Sequence, residues 1–211
     1  MELHNKKIAF LGDSITEGWG ASSPDKAYHQ LLKNEYNLAL ACEAGIGGSR
    51  IAKQKNPTLY SVRQDLYFGL RADYMPKDVD IVIVFGGTND FGHGDAAFGD
   101  IDSNDDYTFI GALNNLINKL KNLYPDKEII FMTPLHRLYE DISLNNSGKL
   151  LVDYVNAIIE GTKRHNVKLI DLFNELELDP NDTNLVPDGL HPNDEGHKIL
   201  AKFIGKKLSE M

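Results

Sequence analysis

Short apolar segments alternate along the chain with longer amphipathic ones, and this alternation constrains the fold more than any other feature. The clearest apolar segment, 80–85, reads DIVIVF and stops at two glycines. Short, continuous and β-branched runs of this kind are typical of strands buried on both faces of a parallel sheet. The other four predicted strands cover residues 8–11, 38–42, 128–132 and 167–172.

The segments between these strands carry the three-to-four-residue spacing of helices. In 28–36, for example, the side chains of Tyr28, Leu31, Leu32 and Tyr36 fall on one helical face. Further helices are predicted over 59–70, 107–124, 149–165 and 193–208, the last with Asn193 as its N-cap. Five strands that alternate with helices predict an open, mostly parallel α/β sheet with both faces covered. Because the sequence has no repeat and no linker, we expect one domain over 1–211.

The charge balance narrows the range of partners. Lys and Arg total 22 and Asp and Glu total 31, which gives a formal net charge of −9. Nucleic acids and anionic membranes select basic surfaces, so we expect neither as a partner. The apolar runs are shorter than the about 7–15 residues of a secretory leader or the about 20 of a membrane span. With a single cysteine, Cys42, which cannot form an internal disulfide, these features predict a cytoplasmic protein.

The reactive side chains gather in four turns at or beyond the predicted strand ends. Ligands of parallel α/β sheets bind beyond the carboxyl ends of the strands, so these turns should meet at one edge. They supply a hydroxyl, backbone donors next to glycines, a carboxamide and a carboxylate–imidazole pair. The four turns are 12–16 (GDSIT), 45–48 (GIGG), 86–90 (GGTND) and 188–192 (DGLHP).

Ser14, His191 and Asp188 have the chemistry of a nucleophile, a base and a carboxylate that orients the base. A serine hydroxyl is a weak nucleophile until a neighbouring group takes its proton. Histidine, with an ordinary pKa of about 6.5, can accept that proton near neutrality and return it to a leaving group. Asp188 precedes His191 by three residues, which is close enough within a turn to bond the ring and fix its tautomer.

Donors for a negative oxygen come from the first three turns. The backbone N–H groups of Ser14 and Gly48 and the side-chain amide of Asn89 can donate to the oxygen of a tetrahedral intermediate. Losing one such donor typically costs about 10²–10³ in rate. Gly45 and Gly47 lie in the same turn as Gly48 and are alternatives for the backbone donor.

These turns resemble the blocks of the SGNH, or GDSL-type, esterase and lipase family. That family has a serine block, a glycine block, a G-x-N-D block and a D-x-x-H-P block in this order, and the resemblance spans nearly the whole chain. It departs at Ile15, where the family name has leucine. The glycine of the family block precedes a small polar residue, here Ser49, which favours Gly48. The resemblance implies a flavodoxin-like three-layer α/β/α fold around a central five-stranded parallel sheet. It also implies Ser14 as nucleophile, Gly48 and Asn89 as oxyanion donors, His191 as base and Asp188 as its partner.

Each turn has a simpler explanation when it is taken alone. Gly-Asp-Ser is a common strand-to-helix turn, and Asn89 with Asp90 is consistent with a turn followed by a helix cap. The four turns together, in order, favour the catalytic interpretation. The segment 45–50 lacks the third glycine of a dinucleotide fingerprint, and the chain has no P-loop pattern. His191 and His197 do not match a zinc spacing, so we expect neither a cofactor nor a metal. The other histidines are expected at the surface or in packing: His4, His29, His93, His136 and His165.

The sequence defines the reaction type more closely than the substrate. Two irregular segments, 91–106 and 134–147, are expected to form pocket walls, and the acidity of the first favours a neutral substrate. No long apolar acyl tunnel is evident, so we predict a serine hydrolase of small, short-chain acyl esters, with an O-acetylated carbohydrate as one candidate. A thioesterase or lysophospholipase, a non-catalytic carbohydrate-binding module and a flavin- or nucleotide-binding protein are the alternatives. The oligomeric state, and whether 91–106 is a lid, stay open.

Overall fold

Five parallel strands form one sheet with the order β2-β1-β3-β4-β5. In the computed structural model, which describes residues 1–56, 58 and 61–211, helices cover both faces of this sheet. The strands are Lys7–Gly12 (β1), Leu40–Gly45 (β2), Ile81–Phe85 (β3), Glu128–Met132 (β4) and Lys168–Ile170 (β5). The predicted flavodoxin-like three-layer α/β/α fold is therefore confirmed. The expectation of a single domain over 1–211 stays a prediction.

The helices follow the predicted pattern closely in the longer segments. In the part of the chain that the structure describes, they are Ser14–Glu17 (α1), Tyr28–Tyr36 (α2), Phe68–Arg71 (α3), Thr88–His93 (α4), Phe109–Leu123 (α5), Leu151–Arg164 (α6), Leu172–Glu175 (α7) and Asp194–Glu210 (α8). Asn193 is the N-cap of α8, as predicted, because its side chain accepts hydrogen bonds from the N–H groups of Glu195 and Gly196.

Three predicted elements differ from the structure. The fifth strand ends at Ile170 rather than at residue 172, because Asp171 caps α7, which begins at Leu172. A single helix over 59–70 is wrong within the described residues, while Leu59 and Tyr60 lie outside them. A 3₁₀-helix, Val62–Asp65, and α3 occupy this segment instead, because the backbone at Tyr67 is extended (φ −61°, ψ 161°). The second strand begins at Leu40 rather than at residue 38, because the left-handed residue Asn37 (φ 51°) turns the chain after α2. It also extends to Gly45, since an edge strand tolerates polar residues on its exposed side.

The strands alternate their side chains between two apolar layers. Phe10 and Ile83 point to the face that α2 and α8 cover, whereas Leu11 and Val84 point to the face covered by α3, α5 and α6. Because both layers exclude water, the central strands are apolar at every position, and this is the reason for the continuous runs in the sequence.

All five strands end at one level of the sheet. In the strand register, Gly12 of β1 lies opposite both Gly45 of β2 and Phe85 of β3. Phe85 in turn pairs with Met132, and Met132 with Ile170. The turns that follow the first three strands therefore start side by side, which is the edge where ligands of such sheets bind. No helix among the described residues has the length and apolar character that a membrane crossing would require.

Candidate active site

The turn after β1 presents Ser14 at the first position of α1. The Asp13 side chain caps this helix by accepting a hydrogen bond from the N–H of Ile15 at 3.1 Å. A side chain at Gly12 would collide with that of Thr16, so the close strand-to-helix turn requires glycine there. Ser14 is only 3% exposed, and its N–H, at the start of the helix, has no intrahelical partner.

A hydrogen-bonded chain connects Ser14, His191 and Asp188. The Ser14 Oγ lies 2.9 Å from His191 Nε2, although the two residues are 177 positions apart in the sequence. The other ring nitrogen, His191 Nδ1, lies 2.6 Å from Asp188 Oδ2. An ionised Asp188 accepts the Nδ1–H, so Nε2 carries a lone pair that can accept the serine proton. The structure thus brings together three of the residues that the sequence singles out.

The turn that carries Asp188 stabilises its carboxylate locally. The Asp188 Oδ1 accepts hydrogen bonds from the N–H groups of Leu190 at 2.9 Å and His191 at 2.7 Å. Partial burial acts to raise the pKa of Asp188, but these hydrogen bonds and the one from the His191 ring outweigh it and lower the pKa. The carboxylate therefore stays ionised at neutral pH, as an orienting partner of histidine requires.

The three glycines of the second turn differ in whether their N–H groups are already hydrogen-bonded. The Gly45 N–H donates to the Glu43 carboxylate, and the Gly47 N–H donates to Glu17 Oε2 at 2.6 Å. Within residues 1–56, 58 and 61–211, the Gly48 N–H donates no hydrogen bond. Gly48 has a left-handed backbone (φ 74°), and a side chain there would collide with Gln64. The availability of its N–H favours Gly48 over Gly45 and Gly47 as an oxyanion donor.

Asn89, the second residue of α4, joins the third turn to the second. Its Nδ2 donates to the Ser49 carbonyl oxygen at 3.1 Å, and its Oδ1 lies 3.2 Å from His93 Nε2. Asn89 is only 5% exposed. One of the two N–H groups of its amide is used by Ser49, and the other has no acceptor among the described residues. The fold therefore brings the Asn89 amide next to the turn that contains Gly48.

Below these groups lies a set of buried charges that the sequence analysis did not identify. The guanidinium of Arg71 donates to the carbonyl oxygens of Gly12 at 2.9 Å and Leu66 at 2.8 Å, to Ser49 Oγ at 2.8 Å, and to the Ala44 carbonyl oxygen. It connects the ends of β1 and β2 to the glycine turn. Burial lowers the pKa of Arg71 to about 10, which leaves it charged at neutral pH.

Asp90 does not act as the helix cap that its position suggests. Its two carboxylate oxygens accept hydrogen bonds from the N–H groups of Ile51 and Ala52, each at 2.9 Å, and so fix the chain after the glycine turn. Burial raises the pKa of Asp90 to about 6 and that of Asp13 to about 7, although hydrogen bonds and nearby arginines oppose the shift. In the sequence, the position of Asp90 directly after Asn89 is the one indication that its carboxylate helps to fix the glycine turn.

The exposed side of the site is formed by Trp19, whose indole is half exposed (52%). Its ring centroid lies 5.5 Å from that of His191, with the planes at 42°. The Trp19 Nε1 donates to Glu17 Oε2 at 3.1 Å, and Glu17 is also paired with Arg63 at 3.1 Å. The backbone of Trp19 is bonded at both ends, to the Ser14 carbonyl oxygen and to His197 Nε2. The indole is therefore a fixed aromatic surface beside the imidazole.

The two segments expected to form walls behave differently. In 134–147, the Leu138 N–H donates to the Gly189 carbonyl oxygen at 2.9 Å, so this segment supports the turn of His191. In 91–106, Phe91 is fully buried and Phe98 packs on Phe109 with ring centroids 5.9 Å apart. These phenylalanines point into the core layer of α5 and α6 rather than towards a ligand.

The remaining histidines occupy varied surroundings. His4 and His93 are exposed, His136 and His165 are partly buried, and His29 is buried, which agrees with surface or packing positions. His93 nevertheless contacts the site through Asn89, in the turn that it follows in the sequence. In the described ranges, no group of three or more His, Cys, Asp or Glu side chains is arranged to hold a metal ion.

A parallel α/β sheet with a hydrogen-bonded Ser–His–Asp chain at its carboxyl edge is an arrangement found in serine hydrolases. The family model described as the GDSL-like lipase/acylhydrolase family matches residues 10–199 of this sequence. The chain therefore belongs to the GDSL-like lipase/acylhydrolase family. It is a hydrolase of carboxylic esters, and the resemblance seen in the four turns is confirmed.

Similar proteins cover the chain from end to end. A GDSL esterase/lipase of Arabidopsis thaliana is 27% identical over 230 residues, which cover 99% of this chain and 88% of the relative. The crystal structure of a Lactobacillus plantarum protein is 28% identical, with a TM-score of 0.83 and 98% of each chain covered. An acetyl xylan esterase structure, 24% identical with a TM-score of 0.67, covers 95% of this chain and 98% of its own, and shares the fold.

Proposed function

We propose that this protein cleaves small, short-chain acyl esters through an acyl-enzyme formed on Ser14. The observation that carries the proposal is the chain from Ser14 Oγ to His191 Nε2, at 2.9 Å, and from His191 Nδ1 to Asp188, at 2.6 Å. A hydroxyl in contact with an oriented imidazole is the arrangement that activates a serine nucleophile.

In the first half of the reaction, Ser14 Oγ attacks the acyl carbon while His191 Nε2 takes the Oγ proton. The N–H groups of Ser14 and Gly48 and the Asn89 amide donate to the oxyanion of the tetrahedral intermediate. When the intermediate collapses, the C–O bond to the alcohol breaks and His191 gives its proton to the leaving oxygen. In the second half, water attacks the acyl group and loses its proton to His191, which then returns a proton to Ser14.

The fixed indole of Trp19 supports a carbohydrate as the alcohol part of the ester. One face of a sugar ring presents C–H groups that pack on an aromatic surface, and a rigid half-exposed ring loses little conformational entropy when it binds. The indole lies beside His191, which is the group that protonates the leaving alcohol. With a net charge of −9, the protein also favours a neutral ligand over an anionic one.

A thioesterase or a lysophospholipase would use the same residues on another leaving group. A non-catalytic carbohydrate-binding module is disfavoured because the complete set of reactive groups is present and hydrogen-bonded. We also retain a cytoplasmic location as a prediction, which fractionation of the native cells would test.

The proposal is tested by hydrolysis of p-nitrophenyl acetate, butyrate and longer esters by the wild type, Ser14→Ala and Ser22→Ala. We expect kcat/KM to fall with acyl length and to fall by at least about 10³ in Ser14→Ala. Ser22, which is exposed and bonded to Asp194, is the matched control and should retain wild-type activity. Mass spectrometry after an acid quench should find the acyl group on the peptide that contains Ser14. Equal activity in all three proteins would contradict the assignment of the nucleophile.

The carbohydrate part has a separate test. Trp19→Ala should raise KM for an acetylated saccharide by about tenfold and leave that for ethyl acetate unchanged, because only the saccharide can pack on the indole. Tyr74→Ala, which removes an aromatic ring that is 83% exposed, is the control. Equal effects of Trp19→Ala on the two substrates would exclude a sugar subsite at the indole.

A further inference from the structure

His93 lies between a buried arginine and the carboxamide of Asn89. Arg50 Nη1 lies 2.9 Å from His93 Nδ1, and His93 Nε2 lies 3.2 Å from Asn89 Oδ1. Asn89 Nδ2 in turn lies 3.1 Å from the Ser49 carbonyl oxygen. Three consecutive hydrogen bonds thus lead from the guanidinium to the turn that contains Gly48.

The chemistry of the two end groups fixes the direction of every bond in this chain. A guanidinium only donates, so His93 Nδ1 must be the acceptor and His93 Nε2 must carry the proton. That proton is donated to an oxygen of Asn89, and the carbonyl of Ser49 at the other end can only accept. The Asn89 amide is therefore held with its oxygen towards His93 and its nitrogen towards the glycine turn.

The reversed orientation of the amide loses two hydrogen bonds at once. It would place the Asn89 NH₂ against the Nε2–H of His93 and the Asn89 oxygen against the carbonyl oxygen of Ser49. Without His93, only the bond to Ser49 distinguishes the two orientations. A reversed amide presents an acceptor instead of a donor to the site, so it cannot stabilise an oxyanion.

Arg50 is held firmly enough to act as the fixed end of the chain. It is 2% exposed, and its Nη2 donates to Thr58 Oγ1 at 2.8 Å, to the Gln64 carbonyl oxygen at 3.3 Å and to Asp65 Oδ1 at 3.2 Å. Partial desolvation and the positive charges of Arg50 and Arg137 lower the pKa of His93 to about 4. His93 is therefore neutral at physiological pH, and its Nδ1 stays free to accept.

We propose that His93, backed by Arg50, is a positioning residue that holds the Asn89 amide with its donor face towards the oxyanion. The inference rests on the proposed role of Asn89 in the reaction. Because the oxyanion exists only along the reaction path, the loss of His93 should lower kcat and leave KM nearly unchanged.

The test measures kcat and KM of His93→Leu and His93→Gln in the wild type, and of His93→Leu in Asn89→Ala. We expect His93→Leu to lower kcat by about tenfold, and His93→Gln, which can still accept from Arg50 and donate to Asn89, to stay within about threefold of wild type. In Asn89→Ala, which itself should lose about 10²–10³ in kcat, adding His93→Leu should have no further effect, because His93 acts through Asn89.

His165→Leu is a matched control, since His165 Nε2 also lies 3.2 Å from an asparagine oxygen, that of Asn114 on α5. It should leave kcat unchanged. Equal effects of His93→Leu with and without Asn89, or an effect mainly on KM, would overturn the proposal for His93. If Asn89→Ala retains full kcat, the role of Asn89 in the proposed function fails instead. Should His93→Leu not fold, ¹⁵N NMR of the wild type decides, because protonation of His93 at Nδ1 rather than Nε2 contradicts the chain.

Discussion

The proposed oxyanion side of the site, around Asn89, and its proposed base side, around His191, are supported in different ways. Asn89 is 5% exposed and lies among buried charged side chains that bond to several separate segments of the chain. The Asp188 side chain, by contrast, is 56% exposed, and its oxygens bond within the short turn 188–191. The buried side depends on the whole fold for its geometry, whereas the base side is built largely from local hydrogen bonds.

Because of this difference, substitutions on the two sides should affect the stability of the fold and the rate of the reaction to different degrees. Substitutions on the base side should affect the reaction and leave the fold intact, because few distant groups depend on that turn. Substitutions on the buried side should affect both, since Arg71 and Asp90 each bond several backbone groups that are shielded from water. Three variants, ordered from the largest expected effect to the smallest, test this division.

Asp188→Asn should cause the largest effect, and it should be confined to the reaction. The neutral amide cannot stabilise the imidazolium or select its tautomer, so kcat should fall by about 10³–10⁴. The free energy of unfolding should change by less than about 1 kcal/mol, because the Asp188 side chain is 56% exposed. Steady-state kinetics and urea unfolding check the two parts. The control is Asp194→Asn, a neighbouring exposed carboxylate bonded to Ser22, which should keep wild-type kcat.

Arg71→Met should have its main effect on stability. It leaves three carbonyl oxygens and Ser49 Oγ without their donor in a buried region, so we expect a loss of roughly 3–5 kcal/mol in the free energy of unfolding. Urea denaturation measures this loss. Arg63→Met removes an arginine whose side chain is 61% exposed and should cost less than about 1 kcal/mol. Similar losses in the two variants would contradict the division between the buried and exposed sides.

Asp13→Asn should change how the free energy of unfolding depends on pH, because it removes a buried carboxylate that titrates. Burial raises the pKa of Asp13 from 3.8 to about 7, so the folded protein binds this proton more tightly than the unfolded chain does. Its contribution to stability is full below about pH 4 and is lost as the pH rises to about 7. Between these pH values, the wild type should lose roughly 2–4 kcal/mol of unfolding free energy relative to Asp13→Asn, which keeps the acceptor for Ile15.

Asp78→Asn is the control of opposite sign. The hydrogen bond from Lys7 lowers the pKa of this exposed carboxylate, so its contribution to the stability of the wild type should be full above about pH 4 and be lost as the pH falls below that value. Unfolding curves at pH 3, 4, 5, 6, 7 and 8 measure both trends. A flat difference between the wild type and Asp13→Asn would mean that Asp13 titrates normally in the folded protein.

The sequence was sufficient where a residue's role follows from its neighbours in the chain. The run 81–85 predicts a strand because every side chain in it is apolar. The glycine at position 12 predicts the end of the first strand, and ligands of such sheets bind beyond strand ends. Asp188 and His191 were identifiable because only three positions separate them. These features depend on local spacing, which a sequence displays directly.

The sequence could not predict the role of a residue whose hydrogen-bond partner is distant along the chain. Arg50 reaches His93 across 43 positions, and Arg71 reaches Gly12 across 59. Nothing near either arginine marks it as buried, because an isolated arginine is usually exposed. The prediction of one helix over 59–70 was wrong for a related reason. The extended backbone at Tyr67 interrupts the helix, and α3 begins at Phe68, whose side chain packs in the core. The apolar spacing of the sequence does not show this interruption.

The common level at which the five strands stop has a consequence for how new specificities arise in such a protein. The spacing between β1 and β3 is set by the strand register, so an insertion or deletion at the exposed residues 141–143 can change the wall segment without moving the nucleophile or its donors, provided that the bond from Leu138 to the turn of His191 is kept. Loop exchange at this position is thus a route to altered substrate choice with the chemical steps retained.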